Sequence, residues 1–124
     1  MNIALWIVAG LLAAAMFGSG LMKVAQPREK LIKSGMGWAE DFPAGAVKLI
    51  GALEMLGALG LILPALLDIA PILVPVAATG LAITMAGAVI VHLRRKEYSA
   101  IAPAAVFLLM ALFIAWGRFG PYSF

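Results

Sequence analysis

Residues 44–66 read AGAVKLIGALEMLGALGLILPAL, an apolar run with a single carboxylate, Glu54, near its centre. An α-helix rises 1.5 Å per residue, so about 20 such residues cross the roughly 30 Å hydrocarbon core of a bilayer. Glu54 lies about ten residues from the start of the run, or about 15 Å deep. An acidic side chain at that depth costs about 3 kcal/mol on insertion scales, so it needs a partner, a proton or a water-lined cavity. Any account of the protein has to explain this residue.

The rest of the chain has the same character. Hydrophobic residues make up 65% of the 124 and charged residues only 12%, with a mean hydropathy of +1.08. That leaves too little polar surface to coat a soluble globule. Four spans are expected, at about 3–22, 44–66, 72–91 and 100–116, forming a single all-α integral membrane four-helix bundle. The runs are continuous and rich in Ala, Leu and Gly rather than alternating every second residue, which excludes barrel strands. Prolines punctuate them. Pro27 follows the first run and Pro43 precedes the second; Pro71, after a possible Asp68 cap, opens the third, while Pro75 and Pro103 are expected in first helical turns. The first run is read as a span rather than a cleaved signal peptide, because no Lys or Arg precedes it.

Between the first two spans, Pro27 to Gly35 reads as a short interfacial amphipathic helix, with Glu29 and Lys33 at i, i+4 spacing. Leu31 and Ile32 are expected to dip into the interface, with Met36, Trp38 and Phe42 continuing the apolar contacts and Trp38 as a headgroup-level anchor. Lys23, Arg28, Lys30, Lys33 and Lys48 flank this connection, and Arg94, Arg95 and Lys96 crowd the third. The second connection carries Asp68 and no basic residue. The positive-inside rule then places the first and third connections in the cytoplasm and both termini outside, with Arg118 the one dissenter. The net charge of +3 is thus a topology signal that can engage anionic lipid, and it does not point to nucleic acid.

Small residues recur at helical spacing: Gly10, Ala14 and Gly18 on the first span; Gly51, Gly57 and Gly60 on the second; Gly80, Thr84, Gly87 and Val91 on the third. They are read as surfaces for close helix packing, not as nucleotide loops. The candidate ligand-binding residues are the intramembrane polar ones: Lys23, Glu54, His92, Ser19, Thr84 and Lys48. On the expected topology they line a site open to the cytoplasm with Glu54 at its floor. Lys48 and Glu54 are about 120° apart around a helix, so Lys23 of the neighbouring span is the better counter-ion. The competing readings are plainer. Both lysines can snorkel to the phosphate level, Ser19 and Thr84 can bond their own helix, and His92 can be an interfacial residue.

The chain has no cysteine and one histidine. Thiol–disulfide chemistry is therefore excluded, and neither a bis-histidine haem nor a zinc site is expected. The seven Met residues are scattered through apolar runs, as packing residues are.

Three stretches carry a family resemblance: Gly18-Ser-Gly-Leu-Met-Lys23; Gly51-Ala-Leu-Glu54-Met-Leu-Gly57 with Gly60-Leu-Ile-Leu-Pro64; and Met85-Ala-Gly-Ala-Val-Ile-Val-His92. Together they resemble the DoxX-like family of small four-helix membrane proteins, over nearly the whole chain. The family takes its name from a membrane subunit associated with a thiosulfate:quinone oxidoreductase. The resemblance implies a multi-pass bacterial inner-membrane protein in which Lys23, Glu54 and His92 share a polar site. With no cysteine in the chain, redox chemistry inferred from the family name would have to come from a bound quinone or a partner; no covalently bound cofactor is expected, and the candidate partners are a membrane redox protein or a second copy of the chain. Three functions remain open. The favoured one is a quinone- or small-molecule-binding accessory subunit, in which Lys23 or His92 bonds a carbonyl oxygen and Glu54 exchanges a proton. The others are a small-molecule or proton-coupled carrier and a structural partner in a membrane complex; independent catalysis is the weakest expectation.

Overall fold

The computed structural model describes residues 2–33 and 42–122. The expectations on Gly35, Met36 and Trp38 fall outside these residues. Among the described residues the chain forms helices and no strand: α1 (Asn2–Ala25), α2 (Arg28–Lys33), α3 (Ala44–Leu66), α4 (Leu73–Arg94) and α5 (Tyr98–Phe119). All but α2 are long and apolar enough to cross a membrane, and the chain is a multi-pass membrane protein.

The helices outrun the apolar segments that announce them. α1 continues through Lys23 to Ala25, α4 continues to Arg94, and α5 begins at Tyr98 rather than Ala100. Backbone hydrogen bonding propagates past the last apolar residue, because a long basic side chain can reach the interface from inside a helix. Pro103 therefore lies inside α5 rather than in its first turn, and Pro64 lies inside α3. At the second connection, Asp68 does not cap α4. It adopts φ 53° in the turn, and α4 starts after Ile72 with no side-chain cap.

α1 packs on α3 and α5, and α4 packs on α3 and α5, so the four spans form an antiparallel ring in which α1/α3 and α4/α5 have the most extensive contacts. The α1/α3 crossing is made by Gly20 and Gly51. A Cβ at Gly51 would sit 2.6 Å from the Lys23 Cβ and 2.7 Å from the Gly20 carbonyl oxygen. Backbones this close require the absence of side chains. On α3, Gly57 and Gly60 receive Leu81 and Ala77 of α4. The expected stripe on α1 is not a packing surface, however. Gly10 and Gly18 face open space, as do Gly80 and Gly87 on α4.

The dense core occupies the half of the bundle remote from Lys23, where Leu12, Leu61, Ala78, Leu81, Ala111 and Ile114 are almost wholly buried. That end is locked across α1 and α5. Leu5 fills the space over Gly117, and Arg118, only 4% exposed, donates to the Tyr122 carbonyl at 2.9 Å and lies 5.8 Å from the Trp6 ring centroid. Outward faces carry exposed Ile7, Leu11, Ile83 and Leu109, the pattern of a surface solvated by lipid. At the opposite end, α2 folds back so that Leu31 is buried against Val47, with Met22, Ile32 and Phe42 around it. Leu31 thus docks on the bundle instead of dipping into the interface.

Candidate ligand site

Away from the dense core the ring opens into a cavity of about 680 Å³ to which all four spans contribute. Its volume falls within the roughly 300–1,000 Å³ of small-molecule sites. The walls are mostly apolar, including Met16, Ile50, Ala88, Val91 and Phe107, and the polar groups are few: Ser19, Lys23, Glu54, Thr84 and His92. Five of the six residues singled out in the sequence therefore border one space.

The sixth does not. Lys48 is exposed and donates to the Val24 carbonyl at 2.8 Å, holding the last turn of α1. Its separation from Glu54 around α3 turns it to the outer surface, and Lys23 is the lysine that pairs with Glu54.

That pair is built by the glycine crossing. Because Gly20 and Gly51 bring α1 and α3 together, Lys23 Nζ reaches Glu54 Oε1 across the seam, and it also donates to Ser19 Oγ at 3.0 Å. Both side chains are withdrawn from the surroundings, Lys23 at 7% exposure and Glu54 at 1%. Mutual neutralisation makes two charges tolerable at this depth. The second carboxylate oxygen is not provided for. Glu54 Oε2 is buried and has no hydrogen-bond partner, and a buried acceptor left unmet costs about 1–3 kcal/mol.

On the opposite wall, the His92 ring is fixed from outside the membrane. Its Nδ1 lies 3.0 Å from Glu97 Oε1, and Arg95 Nε lies 3.3 Å from Glu97 Oε2. The hydrogen bond from His92, helped by Arg95 and opposed by partial burial, holds the Glu97 carboxyl below its ordinary range. An ionised carboxylate only accepts, so Nδ1 carries the proton of this hydrogen bond. Glu97 was not among the sequence candidates. Its only signal is a carboxylate five residues after the histidine, just beyond the end of the span.

Thr84 borders the cavity but spends its hydroxyl proton on the Gly80 carbonyl at 3.0 Å. Among the described residues no three His, Cys, Asp or Glu side chains are grouped so as to hold a metal ion. The arrangement is an apolar chamber with a carboxylate and an ammonium on one wall and an imidazole on another.

The four-span bundle and its intramembrane polar cavity place the chain among small helical membrane proteins with a ligand-sized chamber. The family is more specific: the model of the DoxX-like family matches residues 7–114, and the chain belongs to that family. No curated protein and no solved structure matches it.

Proposed function

We propose that the protein is a quinone- or small-molecule-binding accessory subunit of a bacterial inner-membrane redox system, with the cavity and both basic connections on the cytoplasmic side and both termini outside. The observation that carries this reading is a cavity large enough for a ligand whose lining includes Glu54, a buried carboxylate with one oxygen, Oε2, that has no hydrogen-bond partner. A hydroxylated ring such as a quinol supplies the missing donor, and the apolar walls suit its body. Lys23 orients Glu54 through its bond to Oε1, while His92, held by Glu97, borders the same cavity from α4. The chain has no cysteine, so electrons would pass through the bound molecule to a membrane partner protein. The basic residues of the connections support the cytoplasmic orientation through the positive-inside rule.

A structural role is the second reading, and the Lys23–Glu54 ion pair across α1 and α3 favours it. Mass spectrometry of small molecules co-purifying with mildly solubilised wild type and Glu54→Gln separates the two. A defined compound retained by wild type and lost from the variant supports the binding subunit. Lipid alone in both, with a less stable variant, leaves only the structural pair.

A further inference from the structure

A second, shallower cavity of about 480 Å³ runs along the outside of the α3/α4 seam, lined by Leu56, Gly60, Leu73, Val76 and Gly80 among others. Leu53, Ile83 and Thr84 border both cavities. The two cavities therefore adjoin along the seam, the inner one holding the polar groups and the outer one lined by apolar and small residues. Leu53 and Ile83 flank the junction and are 50% and 70% exposed, so it opens sideways into the bilayer. From Thr84 back to Leu73 the groove covers eleven residue steps of α4, about 16 Å at the helical rise. That length is close to the roughly 15 Å of one leaflet's hydrocarbon.

The shapes of these two cavities and the unmet Glu54 oxygen specify complementary parts of one molecule. Resting on the reading of the inner cavity as a ligand site, we propose that its ligand is a long-tailed amphiphile with a hydroxyl or N–H head. The head donates to Glu54 Oε2, the molecule enters laterally from the membrane between Leu53 and Ile83, and its tail lies in the outer α3/α4 groove. The groove floor suits a chain, because α3 and α4 approach closely at Gly57–Leu81 and Gly60–Ala77 while Gly80 leaves open space beside that contact. A ligand with a head alone would fill the chamber but leave the groove to bulk lipid.

The probes are a para-hydroquinone carrying a decyl tail and the same hydroquinone without it, titrated onto the full chain in phosphatidylcholine nanodiscs. Gly80→Leu places a side chain in the groove without touching the inner cavity, and Val76→Trp does so independently should the first variant not fold. Gly10→Leu, on an equally open helix face elsewhere, is the control. The expected result is that both groove variants weaken the tailed probe about tenfold, roughly the loss of two buried methylenes, and leave the tail-less probe unchanged. Gly10→Leu changes neither. Groove variants that leave the tailed probe unaffected, or weaken both probes equally, overturn the groove while the inner site stands. Failure of both probes to bind wild type overturns the inner site and the groove together.

Discussion

Removing Lys23 and Glu54 separately and together tests whether they act as one unit. Lys23→Met keeps the aliphatic stem but deletes the ammonium, leaving the Glu54 carboxylate at 1% exposure with no donor on either oxygen. Its destabilisation should be about 3 kcal/mol, the cost of an uncompensated acid at this depth. Glu54→Leu leaves Lys23 its bond to Ser19, so the loss should be nearer 2 kcal/mol, that of one charged hydrogen bond. The double variant removes both charges and the orphaned Oε2, and it should unfold within about 1 kcal/mol of wild type. The sum of the singles then exceeds the double by about 4 kcal/mol. Unfolding of all four proteins in mixed micelles, followed by circular dichroism, measures each term of the cycle. A double variant as unstable as the two singles added together would refute the claim that the two charges compensate each other.

Three further outcomes are expected. Gly20→Ala and Gly51→Ala should each cost about 1–3 kcal/mol by forcing α1 and α3 apart, whereas Gly10→Ala and Gly18→Ala, facing open space, should be neutral or stabilising by up to about 1 kcal/mol in the same assay. Lys48→Ala should cost no more than about 1 kcal/mol and leave ligand retention by Glu54 intact, since its bond to Val24 is on the exposed surface. Glu97 has a folded-state pKa below its unfolded value, so its contribution is present above the ordinary carboxylate range and lost as pH falls through the lower folded value. The stability difference between wild type and Glu97→Gln, measured from pH 7 to pH 3, should therefore be largest at neutral pH and shrink at the acid end; a difference that grows with acidification would reverse the assignment.

The spans were legible because hydropathy is summed over 20 residues; counting depth made Lys23 the better counter-ion for Glu54, but which lysine faces it depends on helix rotation, which only packing fixes. Helix ends were less so: apolar runs stop at the first charge, but the backbone of α4 continues to Arg94, and the early start of α5 takes Pro103 into its interior. The glycine stripes show the limit most clearly. Spacing tells which residues share a face, yet only packing decides which face meets a neighbour. Gly20, outside the Gly10–Gly18 stripe, makes the crossing while the stripe itself looks outward. Lys48 could be given a depth but not a facing direction for the same reason, and Glu97 was overlooked because it stands just outside the membrane segments.

Three polar side-chain links are each confined to one side of the ring. Lys23–Glu54 and the Lys48 bond to Val24 join α1 to α3, while His92–Glu97 belongs to α4 and the turn into α5. The links between the two halves lie toward the far end, at Leu5–Gly117, Arg118 beside Trp6, and the Gly57 and Gly60 contacts with α4. The named contacts thus tie the two halves together at one end, and the walls that carry Glu54 and His92 face each other at the other. Among the described residues, none of the polar links named above runs from the Glu54 wall to the His92 wall, so each wall settles its own electrostatics before the two meet across the cavity.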